Sequence, residues 1–496
     1  MCPATVTVGQ AARLPLTDPP VLPIGQSRRV ALVEAQRPRR GESQFGDSQD
    51  RSQPVRRMTT AGPRAPEVVL QTTCHRGHPR ERAHLQCSAM PRPSSRILPP
   101  AVVIGLDSLQ GIQAARILDG HGIPVVAIAE DRSHPNCRTN VCRDLRITPT
   151  GTPELIDTLL ELGAELDERA ALFPCQDRSV RVVSRHREQL EPFFEYALPP
   201  PEVVETFLDK IRFLEHAEAH GVPVPPAIVI RSWSDAERAA RELTFPCLLK
   251  PSYRDMAWDS HTKCKVFMLA SGEELLQAYE TCREWSAAFI AQQWIRGDDT
   301  NLYSCNCYFD RNGEPLATFV ARKLRQWPVD AGSSCLGEEV RDDATLAGTL
   351  GFFATVPYHG LAYLELKKDE ESGAYYVIEP NVGRPTGRSA IAEAGGVELL
   401  YTMYCDVLQL PLPPIVDRTQ RYTGTKWVDL RHDVQSGFTY WRSDRLGLGE
   451  WVRSYRGRRA HAIFSWRDPA PFFADLWQAA KQVGQRSLRS GRAGTR

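Results

Sequence analysis

Residues 360–381 read GLAYLELKKDEESGAYYVIEPN. Apolar and polar positions alternate up to Lys368, a polar run from Asp369 to Gly373 follows, and alternation then resumes. That pattern predicts a β-hairpin. Its two arms carry Glu365 and Glu379, and Asn381 lies two residues beyond Glu379. Residues i and i+2 of a strand share a face, so Glu379 and Asn381 point together, and antiparallel pairing can bring Glu365 alongside them. Two carboxylates and an amide oxygen are hard ligands suited to Mg²⁺ ions that also bridge phosphates. The plainer alternative is a solvated hairpin face. It fits poorly with the apolar neighbours in YLEL and YVIEPN.

Upstream, the cations are informative. The chain holds nine lysines against 52 arginines, and none of the lysines precedes Lys210. Where arginine is the default cation, a lysine suggests a place that needs a compact point charge on a thin stem, such as a phosphate oxygen in a tight site. Lys210 lies in FLDKIRFLEHAEAHGVPVPP (207–226), and Lys250 ends the apolar strand of FPCLLKPS (245–252). A lone charge at the end of a buried strand is costly unless it meets an anion. Some 40 residues on, FIAQQWIRGDDTNLY (289–303) runs from an apolar strand into a Gly-Asp-Asp turn.

Further out, AVVIGLDSLQGIQAARILDGHGIPVVAIAED (101–131) reads as strand, glycine-bearing turn, amphipathic helix and second strand, a βαβ unit of a parallel sheet. Gly105 and Gly111 do not form GxGxxG, which argues against a dinucleotide-binding oxidoreductase. Another strand, ALFPC (171–175), has Asp177 beyond its end. The Pro-Pro-Pro break at 199–201 and LPLPP at 410–414 mark boundaries. The expected domains are therefore a Pro- and Arg-rich leader over 1–98, a parallel α/β domain over 99–200, a second α/β block over 201–410 and a Trp- and Arg-rich extension over 411–496. The leader never sustains an apolar period, and disorder is expected there. An over-extended translation start and a basic RNA-binding tail are the other readings of it.

The formal net charge of +1 offers no global field for nucleic acid or an anionic membrane. No apolar run approaches the roughly 20 residues of a membrane helix, and no secretory signal pattern opens the chain. Thirteen cysteines occur without a CxxC pair, as expected of incidental thiols in a reducing cytosol. Cys305 and Cys307 would share a strand face without further ligands for a metal. The expected location is cytoplasmic, with no nucleic-acid or membrane partner.

Taken together, residues 101–410 resemble the ATP-grasp superfamily, and within it the carboxylate–amine ligases. The features come in the family's order: an α/β domain preceding the ATP-grasp domain, Asp209-Lys210, the strand lysine of LLKP, the hinge, and the ExN pattern at Glu379–Asn381. The resemblance implies an α/β fold with a two-lobed ATP-grasp core. It implies ATP phosphates on Lys210 and Lys250, adenine on the hinge at Gln293, Trp294 and Ile295, and ribose on Asp299. Magnesium (or manganese in its place) falls to Glu365, Glu379 and Asn381. Lys323 and Arg325 of VARKLRQWP, with Arg384 and Arg388 of GRPTGRS, would steady the γ-phosphate and the substrate carboxylate. Two departures stand out. YRDMAWDSHTKCKV (253–266) lacks the glycines of the usual phosphate-covering loop, leaving Arg254, Lys263 and Lys265 to close over the nucleotide, and Gln292-Gln293 stand where relatives often carry glutamate. The implied reaction joins a small-molecule carboxylate, an amino acid among the options, to an amine through an acyl phosphate, with a homodimer among the assemblies open to it. Carboxylation through carboxyphosphate and a non-catalytic ATP-binding protein are the alternatives.

Overall fold

In the computed structural model, which describes residues 98–493 other than 254, 255, 263 and 331, the unbroken apolar runs become parallel strands. β1 (Ala101–Ile104), β2 (Val125–Ala129) and β4 (Ala170–Pro174) are buried along their whole length. With β3 (Cys142–Ile147) and β5 (Phe194–Glu195) they form an all-parallel sheet in the order β3-β2-β1-β4-β5. Parallel neighbours need crossovers, and the helices at Leu109–Gly120 and Glu154–Glu165 supply two of them. The glycines of the first turn serve close packing: Gly105 has φ +90°, and a Cβ on Gly111 would lie 2.1 Å from the Gly105 carbonyl oxygen. Strand order reverses at β1, which leaves a crevice at the carboxyl ends of β1 and β4, where ligands of open α/β sheets sit. Asp107 follows β1 and Asp177 follows β4.

The second sheet is antiparallel, with β6 (Ala227–Ile230), β7 (Cys247–Pro251), β8 (Phe267–Leu269) and β9 (Phe289–Gln293) in the order β6-β9-β7-β8. Alternation divides its faces. Cys247, Leu249, Phe289 and Ala291 enter a core with Trp258, Tyr279 and Cys282. Leu248, Lys250, Ile290 and Gln292 look the other way, into a large cavity.

The third sheet has seven strands: β10 (Leu302–Phe309), β11 (Pro315–Trp327), β12 (Ser333–Glu339), β13 (Gly360–Lys368), β14 (Tyr375–Val382), β15 (Lys426–Val428) and β16 (Arg459–His461). Their order is β14-β13-β10-β11-β12-β15-β16. The expected hairpin at 360–381 is β13–β14. Its turn is closed by the Gly373 amide on the Asp369 carbonyl at 2.9 Å. The segment beyond 411 contributes β15 and β16 directly to this sheet, and Trp427 of β15 is 1% exposed in a core shared with β1, β2, β10 and β11. Cys305 and Cys307 do share a face of β10, with their sulfurs 3.4 Å apart. Residues 1–97, including almost all of the expected leader, lie outside the described residues, as do Arg254 and Lys263. Among the described residues no helix is long and apolar enough to cross a membrane.

Candidate active site

A cavity of about 830 Å³ opens between the second and third sheets and reaches the crevice of the first. Each wall is built by local sequence. Asp209 caps the helix Lys210–Ala219, its carboxylate accepting from the Ile211 amide at 2.8 Å and the Arg212 amide at 3.1 Å, and this leaves Lys210 as the first helical residue facing the cavity. Asp209 is thus the cap and Lys210 the cation. Lys250 projects from β7 beside it and donates to Gln292 Oε1 at 2.7 Å. Burial, and then the charge of Lys210, push the Lys250 ammonium down to about 8, with Glu379 pulling the other way. Gln292 is neutral, so the hydrogen bond brings no counter-charge. Two neighbouring cations in a half-buried wall form a site that an anion would stabilise.

The hinge lies across the same wall. Gln293, Trp294 and Ile295 all line the cavity. The Gln293 amide donates to Pro226 and the Trp294 amide to Pro246, which fixes the path of the chain. Beneath it, Lys367 donates to the Gly297 carbonyl at 2.7 Å and lies 4.1 Å from the centre of the Trp294 ring. Burial pushes Lys367 down to about 8. Nothing local distinguished it from Lys368 in the sequence. The two sit on opposite faces of β13, and only Lys367 turns inward.

Opposite the lysines, the β13–β14 register sets Glu365 directly across from Glu379 and Tyr363 across from Asn381, with a β-bulge just beyond Glu365. Bulges re-aim side chains at sites such as this. Glu365 and Glu379 line the cavity with Asn381. Lys323 of β11 lies 3.2 Å from the Glu365 carboxylate, and Tyr363 donates to it at 3.1 Å. Burial opposes ionisation of Glu365, but Lys323 and Arg388 prevail and hold it below the usual carboxylate range. The Asn381 amide oxygen accepts from Arg384, whose Nε donates to Asp177 at 2.5 Å. Arg388 is 4% exposed and donates from Nη1 to Ser304 at 2.5 Å, while its Nη2 has no partner among the described residues. Two carboxylates and one amide oxygen fit Mg²⁺, which is commonly held by one or two carboxylates with phosphate oxygens completing the shell. Among the described residues no group of three acidic, histidine or cysteine side chains could hold a metal by itself.

Two expected site residues are not brought to the cavity wall. Asp299 is 6% exposed, and its oxygens accept from Gln326 Nε2 at 2.6 Å, from the Gln326 amide at 3.2 Å and from the Tyr440 hydroxyl. It therefore reaches the cavity only through Gln326, which does line it. Burial pushes the Asp299 carboxyl up, against the opposing pull of Tyr440 and Lys323. Arg325 is turned away from the cavity into a bidentate pair with buried Asp433, at 2.8 Å on both arms. The reason in each case is a partner from the helix Leu430–Arg442, more than 100 residues downstream. Conversely, Asp107, Gln326, Lys367, Trp427 and His432 line the cavity without having been singled out in the sequence.

No family model matches the chain. It is 25% identical over 253 residues to the D-aspartate ligase of Enterococcus faecium (strain Aus0004), covering 48% of this chain and 59% of that protein. It is 27% identical over 187 residues to the D-alanine–D-alanine ligase of Pseudomonas putida (strain GB-1), covering 35% and 54%. The chain thus spans little more than half the length of these relatives. In three dimensions it is similar to the N5-carboxyaminoimidazole synthetase of Staphylococcus aureus complexed with ADP. The TM-score is 0.51 at 14% identity, over 64% of this chain and 79% of that one. The biotin carboxylase of Campylobacter jejuni matches with the same TM-score and identity, over 64% and 73%. In this chain the paired lysines face a carboxylate hairpin across one cleft of an α/β fold. Its fold is the α/β ATP-grasp fold of these solved structures.

Proposed function

We propose that the chain is an ATP- and magnesium-dependent carboxylate–amine ligase. The observation that carries this reading is the opposition, across one cavity, of the Lys210–Lys250 pair to Glu365, Glu379 and Asn381. The lysines would take the phosphate oxygens, and the hinge would take adenine along Gln293, Trp294 and Ile295. Glu365, Glu379 and Asn381 would hold Mg²⁺, which when bound supplies charge neutralisation at the phosphates. Arg388, whose buried Nη2 has no partner among the described residues, would receive the substrate carboxylate. Lys323 holds Glu365 ionised and would offset charge at the transferring phosphoryl group. Arg384 ties Asn381 to Asp177 and so orients the third metal ligand. Asp299 would act through Gln326. A carboxylate is a poor electrophile. Its oxygen attacks the γ-phosphorus to give an acyl phosphate and ADP, and an amine then displaces phosphate to leave an amide. The side chains mainly position groups and neutralise charge.

Both names among the relatives, D-aspartate ligase and D-alanine–D-alanine ligase, support an amino acid as one substrate. The test is a screen for ADP release with amino acids and small acids, supplied singly and in pairs, followed by hydroxylamine trapping. A hydroxamate, and one ¹⁸O passing from labelled carboxylate to phosphate, are the expected results. Label appearing only in AMP would mean adenylation and end this reading. ADP release with bicarbonate alone would replace it by carboxylation.

A further inference from the structure

Aminolysis of an acyl phosphate needs a proton acceptor. Lys210 and Lys250 face the phosphate end of the cavity, Lys367 is tied to the Gly297 carbonyl beneath the hinge, Arg384 and Arg388 are cations, and Glu365 and Glu379 belong to the metal set. The half of the cavity built by the segment beyond 411 holds a candidate. His432 lines the cavity in the first turn of the helix Leu430–Arg442. Its Nδ1 lies 2.7 Å from Oδ2 of Asp429, the residue that precedes that helix. A carboxylate only accepts, so Nδ1 carries the hydrogen, and in the neutral imidazole Nε2 holds the lone pair that can take a proton. Asp429 is itself fixed, its amide donating to the Cys335 carbonyl of β12 at 2.8 Å. It also lines the cavity, as does Trp427 two residues before it.

Two further observations mark this half of the cavity as ligand-facing. Trp427 Nε1, 1% exposed at the residue level, and Asp107 Oδ1 are buried polar atoms on its walls without hydrogen-bond partners among the described residues. Unpaired buried polar atoms are uncommon and costly. A Cβ on Gly387 would lie 3.4 Å from Leu109 and 3.8 Å from the Trp427 ring. The β1 turn, the loop bearing Arg388 and the end of the third sheet therefore meet at one point.

We infer that His432, oriented by Asp429, is the proton acceptor for the attacking amine, and that the amine sits against the Asp107 turn and Trp427. The inference rests on the ligase reading above. As the nitrogen lone pair forms the C–N bond, the C–O bond to phosphate breaks and phosphate leaves with the bonding pair. The proton shed by nitrogen passes to His432 Nε2, and Asp429 stabilises the resulting imidazolium. Asp429 is a positioning residue; His432 touches the reacting nitrogen.

The experiment compares two nucleophiles on the full chain. Hydroxylamine is unprotonated at neutral pH and needs little help, whereas ammonia and the amino acids need a base. With His432→Gln, hydroxamate formation should stay within about twofold of wild type, while amide formation with ammonium or any of the common amino acids falls about 100-fold or more. Imidazole added to His432→Ala should restore part of the amide rate and leave the hydroxamate rate unchanged. Asp429→Asn should show the same split in milder form. Hydroxamate and amide falling together would mean a structural role, and an unchanged amide rate would mean no role; either overturns the inference. Wild-type protein that yields no hydroxamate with any acid would instead remove the ligase reading, and this inference with it.

Discussion

Lys250 is the residue whose environment makes the clearest demand. In the ligand-free protein its ammonium is pushed down to about 8, so it is charged below that pH and increasingly neutral above it. Bound phosphates favour the charged form, which raises its pKa in the complex. MgATP affinity should therefore fall as pH rises through 8, by roughly tenfold between about pH 7.5 and 9, as single-proton linkage requires. Lys250→Ala should bind weakly at all pH values and lose most of this dependence, with any remaining slope belonging to Lys367. Titration calorimetry of both proteins checks it, and a wild-type affinity that is flat with pH would count against Lys250 as a phosphate ligand. Lys250→Arg should not restore affinity fully, because a planar fork does not fit where a narrow ammonium does. Glu379→Gln tests the other wall. The amide keeps the shape and loses the anion, so turnover should fall at least about 100-fold while nucleotide affinity, measured separately, falls much less.

At the scale of elements, the hairpin was fully legible because its signal is local. Alternation, a polar turn and the i, i+2 spacing of Glu379 and Asn381 all lie within 22 residues of sequence, and the observed register sets Glu365 across from Glu379. The same holds for Lys250, whose apolar strand announces a buried charge. Arg325 was not legible, since its neighbours in VARKLRQWP say nothing of Asp433, which arrives on a helix 108 residues later. Asp299 hides a similar long-range tie to Tyr440. Inward and outward positions on β11 alternate, but a bulge between Lys323 and Arg325 breaks the period there. Lys323 meets Glu365 as a result, and Arg325 meets the helix. Breaking a buried pair leaves an uncompensated charge, so Arg325→Ala should destabilise the fold by about 3–5 kcal/mol. The fraction that remains folded should bind MgATP as the unaltered chain does. Denaturant unfolding and a binding isotherm measure the two effects, and a specific loss of affinity without loss of stability would return Arg325 to the site.

Across the whole molecule, the first and third sheets depend on the end of the chain. β15 pairs with β12 and β16, Trp427 enters the core beneath β1, and Asp468, 1% exposed, accepts from Arg116 at 2.9 Å and from Thr139 at 2.5 Å. Sequence composition set the segment beyond 411 apart as Trp- and Arg-rich, and nothing in it revealed that three-residue strands would join a sheet that begins at Leu302. A chain starting at residue 98 should retain folding and MgATP binding, since the described cores close within residues 98–493. A chain ending at 410 should not fold. Circular dichroism melts and nucleotide titration of both truncations provide the check, and a cooperative melt from the chain ending at 410 would show that the last two strands are dispensable.

The tie between Asp468 and the first sheet's loops has a genetic consequence. Because the carboxylate that locks Arg116 is translated 352 residues after it, a frameshift or stop codon near the end of the reading frame removes a keystone of the first sheet's surroundings as well as the tail. Alleles truncated anywhere before codon 468 should then behave as complete nulls. Graded loss of function should come instead from missense changes.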